Sequence, residues 1–68
     1  MTVTVRVNGE ETPLDDGATV ADLVAALGLE PRGIAVAVAG EVVTRRTWGE
    51  RGLVAGEVVE VLQVAQGG

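Results

Sequence analysis

The chain has 68 residues, 47% of them hydrophobic and nearly all of those Val, Ala and Leu, with a formal net charge of −5. No Cys and no His are present, which excludes disulfides and the usual zinc ligands. Five arginines and no lysine, set against ten acids, argue against phosphate-driven nucleic-acid binding and favour an acidic surface that meets a basic partner.

A domain this small buries only about 60% of the surface its unfolded chain exposes, so a tight aliphatic core must hold it. Met1 to Val5 alternates and lacks the continuous apolar stretch of a signal peptide. No run approaches the ~20 apolar residues of a membrane span. The chain reads as cytoplasmic and soluble.

Val3, Val5 and Val7 alternate with Thr4 and Arg6, the period of a half-buried strand. Asn8-Gly9 predicts a type I′ hairpin turn, which needs positive φ at both positions. Glu10 to Leu14 is the returning strand, and Pro13 places it at an edge or near its own end. After the Asp15-Asp16-Gly17 turn, Thr19 is an N-cap with Asp22 as its capping-box acid. Val20, Leu23, Val24 and Leu27 share one face of a helix over 20–27, and Gly28 suits the left-handed position that ends it.

Pro31 and Gly33 mark a loop. Ile34 to Val38 predicts a central strand packed on the helix. Ala39-Gly40 turns the chain into Glu41-Val42-Val43, with Gly40 supplying the positive φ. Residues 44–55 read as irregular, with Trp48 capping one end of the core and Arg45, Arg46 and Arg51 as exposed loop charges. The last strand runs from Val58 to Val64. Val59 and Val61 point inward, while Val58, Leu62 and Val64, with Glu60 between them, form an apolar patch that implies a partner. The domain spans 1–64, and 65–68 is a flexible tail.

A single helix covering one face of a mixed sheet is a standard two-layer solution. With the last strand beside the first, the fold class is α+β, a β-grasp of four to five strands. Gly67-Gly68 lies past the last strand, where no turn remains to be made. Two residues without Cβ suit a narrow channel. The chain offers no nucleophile–base pair of its own. Asp15-Asp16 and Glu10-Glu11 are turn acids too few in ligands for a metal.

At this point the chain resembles a known family. Val7-Asn8-Gly9-Glu10, Thr19 to Leu23, Ile34 to Val38, Glu41-Val42-Val43 with Arg46 and Trp48, Leu53, Gly56-Glu57 and Val64 to Gly68 follow in the order of the ThiS-type sulfur carriers of thiamin biosynthesis. The family commonly has Asn where Ala39 stands and Asp where Glu57 stands.

The resemblance implies a ubiquitin-like carrier that is a protein substrate and not an enzyme. The Gly68 carboxylate would be adenylated by an E1-like (ThiF-type) enzyme using ATP and magnesium, with no cofactor bound to the carrier itself. A sulfur donor such as a cysteine desulfurase would then convert it to a thiocarboxylate, and a ThiG-type thiazole synthase would take the sulfur. Gly67, Gln66 and Ala65 form the tail, and Leu62, Val64, Glu60 and Val58 the partner-binding face. The alternatives are a carrier for another pathway, of the molybdopterin type, and a non-covalent ubiquitin-like binding module.

Overall fold

Asn8 and Gly9 take φ of 51° and 86°, both left-handed, and fold Thr2–Val7 (β1) back onto Glu10–Asp15 (β2) as an antiparallel hairpin. This is the type I′ geometry whose twist matches that of the flanking strands. A computed structural model describes residues 1–63. Within them Val20–Leu27 forms one helix (α1), followed by Ile34–Val38 (β3), Glu41–Val43 (β4) and Val58–Gln63 (β5).

The helix begins where its sequence says it should. The Thr19 hydroxyl accepts from the Asp22 N–H at 3.2 Å, and the Asp22 carboxylate accepts from the Thr19 N–H at 2.9 Å. These reciprocal bonds satisfy two donors that a helix start otherwise leaves open. Gly28 ends the helix with φ 70°, and its N–H bonds back to Ala25 and Val24. Eight residues form too short a helix to persist alone, so packing holds it. Val20, Leu23 and Val24 supply that packing, whereas Leu27 at the last turn is partly exposed.

The strands form one mixed sheet in the order β2-β1-β5-β3-β4. β1 and β5 run parallel, and every other neighbouring pair is antiparallel. β5, and not β3, is therefore the middle strand. β3 has two neighbours but sits one place from the edge, because the short β4 closes that side. Pro13 lies in the edge strand β2, opposite Thr4, where its missing N–H interrupts no second ladder.

The core is aliphatic: Val5, Val7 and Leu14 from the hairpin, Val36, Val38 and Val59 from the inner strands, and Leu53 from the long loop close on the helix. Trp48 is buried with them, and its indole N–H donates to the Val43 carbonyl at 2.8 Å. That bond lets a polar group enter an apolar site at little cost. Residues 44–55 are less irregular than their composition predicts. They contain a 3₁₀ turn at Arg45–Thr47 and a bridge from Gly52 to Thr19.

The β3–β4 turn departs from expectation. Ala39 itself has φ 52°, beside Gly40 at 83°, so the turn is type I′ and repeats the conformation of Asn8-Gly9. A Cβ in this region costs roughly 1–2 kcal/mol, a strain that Asn tolerates better. Ala39→Asn is expected to stabilise the domain by about 0.5–1 kcal/mol, a Tm rise of roughly 2–8 °C in thermal unfolding.

Candidate functional site

β5 offers two faces of opposite character. Val59 is fully buried and Val61 partly buried against the core, as the alternation predicts. On the outer face Val58 is 51% exposed and Leu62 66% exposed. Glu60, between them, is also exposed.

The register extends this outer face sideways. Leu62 pairs with Ala35, Glu60 with Ala37, and Ala37 in turn with Val42, which is 75% exposed. On the other side Val58 pairs with Arg6. The small Ala35 and Ala37 leave Leu62 and Val42 standing proud. No element among the described residues covers this side of the sheet. Apolar side chains here contribute little to the fold, and their exposure is what a binding surface requires.

Val58, Glu60 and Leu62 are thus brought together on one strand. Val64, Ala65, Gln66, Gly67 and Gly68 lie outside the described residues. They follow directly on Gln63, at the end of the strand that carries the apolar face.

The loop that feeds β5 is tied down by charge. Arg51, expected as an exposed loop charge, reaches Glu57 instead. Its Nη2 lies 2.7 Å from Oε2 and its Nη1 3.4 Å from Oε1, with Nη1 also donating to the Gly52 carbonyl. Glu57 Oε1 accepts the Val54 N–H at 3.0 Å as well. The Glu57 carbonyl takes the Arg6 N–H at 2.9 Å, so the clamp is fastened to β1 where β5 begins. Arg6 itself makes only a long, solvated pair with Glu11 at 3.8 Å, of the kind that stabilises little.

The Arg51 hydrogen bond holds the Glu57 carboxyl below the ordinary Glu value, helped by the Val54 N–H and opposed by partial burial. Arg51 is correspondingly raised and stays protonated. A carboxyl lowered on folding contributes stability above its unfolded pKa of about 4.3 and loses it as pH falls through the folded value. Glu57→Gln is therefore expected to lower Tm at neutral pH. The gap to the parent chain should close below about pH 4 in pH-dependent thermal melts. A gap that persists unchanged into acid would show that the clamp is not the source of the stability.

Two features escaped the sequence. The Arg51–Glu57 pair spans six residues with no regular period to signal it. Asn8 carries the other: beyond its turn role, its side chain bonds Val61, 53 residues away. Nothing local in the chain marks either contact.

A mixed sheet with parallel first and last strands, wrapped over one helix, defines a ubiquitin-like β-grasp domain, here with an apolar outer face on its middle strand. The chain belongs to the ThiS family, whose model matches residues 5–68. It is similar to the crystal structure of a thiamine biosynthesis protein (ThiS) from Geobacter metallireducens, with 28% identity and a TM-score of 0.83. That likeness covers 97% of this chain and 100% of the other. A comparison with curated proteins gives no match. No helix among the described residues is long and apolar enough to cross a membrane.

Proposed function

We propose that the chain is a sulfur carrier of thiamin biosynthesis whose Gly68 carboxylate receives and delivers sulfur for thiazole formation. The observation that carries this reading is the family match, which runs through residue 68 and so takes in Gly67-Gly68. Carriers of this type are substrates of other enzymes and not catalysts.

A carboxylate resists nucleophiles because it is already anionic, and with an α-carboxyl pKa of about 3.3–3.7 it is fully ionised at neutral pH. Its oxygen attacks the α-phosphorus of ATP on a ThiF-type enzyme, and pyrophosphate leaves. ATP and magnesium belong to that partner's site. A persulfide carried by a donor such as a cysteine desulfurase then attacks the acyl carbon, AMP departs, and a thiol reductant cleaves the S–S bond of the acyl disulfide to free the thiocarboxylate. The resulting thiocarboxylate passes its sulfur to a ThiG-type thiazole synthase. The absence of Cys from the carrier agrees with a sulfur that comes from outside. Glycine at both final positions leaves no Cβ beside the reacting carbon.

Leu62, Val58 and Glu60 form the docking face in this reading, with Val64 continuing β5 in sequence. Their exposure and their place on the strand that leads to the tail support it. The decisive experiment incubates the chain with the adenylating enzyme, ATP, magnesium and a sulfur source. Intact-mass measurement should show one oxygen replaced by sulfur at the C-terminal glycine. An unmodified mass under complete conditions overturns the proposal.

A further inference from the structure

The parallel ladder between β1 and β5 is short. It pairs Arg6 with Val58 and Val7 with Val59, and then β1 leaves the sheet at the Asn8-Gly9 turn. β5 continues to Gln63 with β3 still beside it, Ala35 opposite Leu62 and Ile34 opposite Gln63. On the β1 side the backbone of β5 would be open from residue 60 onward.

Asn8 closes part of that gap. Its own N–H donates to the Val59 carbonyl at 2.9 Å. Its side chain then acts as a further peptide group: Oδ1 accepts the Val61 N–H at 2.9 Å, and Nδ2 donates to the Val61 carbonyl at 3.0 Å. A carboxamide has the donor and acceptor of a backbone unit, and Asn tolerates the left-handed turn. One residue thus turns the hairpin and adds a rung to a ladder its backbone has left.

We propose that Asn8 is a positioning residue for the tail: by fixing Val61 on the β1 side, it steadies the end of β5 from which residues 64–68 follow toward an adenylating partner. This rests on the reading of Gly68 as the activated atom. With the rung in place, seven residues, 62–68, follow the last position held from both sides. Without it the count is nine, 60–68; β3 then holds residues 60–63 from one side alone, and fraying of that strand end lengthens the tether. A longer and looser tether lowers the effective concentration of its end at a fixed site. Ordering the freed strand end on binding adds an entropic cost. The chemistry at Gly68 is untouched, so the loss falls on KM and not on kcat.

The test compares three variants with the parent chain, each with a ThiF-type enzyme and ATP. Asn8→Gly keeps the positive φ and removes both side-chain bonds. Asn8→Asp keeps the turn and the acceptor for the Val61 N–H but loses the donor. Val3→Ala, at the far end of β1, measures what a loss of stability does by itself. Hydrogen exchange at the Val61 amide should accelerate in Asn8→Gly while the Val36 and Val38 amides stay protected.

The KM for adenylation should rise on the order of tenfold in Asn8→Gly, from the loss of two hydrogen bonds, with kcat unchanged. Asn8→Asp should fall between it and the parent. Unchanged Val61 exchange, or a KM no higher than in Val3→Ala for both Asn8 variants, overturns the role of Asn8 and leaves the carrier reading standing. Failure of the parent chain to be adenylated at all overturns the carrier reading instead.

Discussion

Appending one alanine after Gly68 is expected to abolish activation while leaving the fold unchanged. The new carboxylate would sit one residue further along the tail, a displacement of about 3.3–3.6 Å in an extended chain. A misplacement of about 1 Å can cost on the order of a hundredfold in a positioned reaction. The extension also places a methyl group beside the reacting carbon. The displacement acts on adenylation and the methyl group on the acyl transfer that follows, so a rate at least about a hundredfold lower is the expected result. Gln63, the last residue of β5, lies well before the addition, so Tm should not move. A thiocarboxylate formed at the usual rate on the extended chain would rule out the tail mechanism. The same outcome would favour a non-covalent binding module, which tolerates an extended tail.

The second large effect separates core from the proposed docking face with one chemical change made twice. Leu23 is fully buried under the sheet, and Leu62 is 66% exposed on the opposite side. Leu23→Ala removes a core side chain and leaves a cavity, at a cost of about 2–5 kcal/mol. A domain of this length has a total stability of roughly 3–10 kcal/mol, so much of it would be lost. Tm should fall by more than about 10 °C. Leu62→Ala should change stability by less than about 0.5 kcal/mol, as exposed substitutions usually do. Its effect should appear as a higher KM with the adenylating partner. A Leu62→Ala chain as destabilised as Leu23→Ala would make Leu62 structural. One that is stable and fully active would remove it from the docking face.

The elements with a local cause were legible in the sequence. Asn8-Gly9 specifies a turn by the φ values it permits. Thr19 and Asp22 specify a helix start by bonds three residues apart, and Gly28 specifies its end. The alternation of β5 separates Val59 from Leu62, and their burial follows it. Ala39 was harder to read, because alanine gives no sign of the left-handed conformation that the twisted β3–β4 hairpin imposes on it. The family habit of Asn at that position is the one hint available.

What the sequence by itself determined is the set of local pieces and which side of each strand faces the core. Each depends on residues within one or two turns of each other, where backbone sterics and side-chain period act directly. The tertiary structure decided that β5 lies in the middle of the sheet, that Arg51 belongs to Glu57, and that Asn8 reaches across 53 residues to hold Val61. These contacts arise only when the sheet closes over the helix, since a donor and an acceptor so distant in the chain carry no shared pattern.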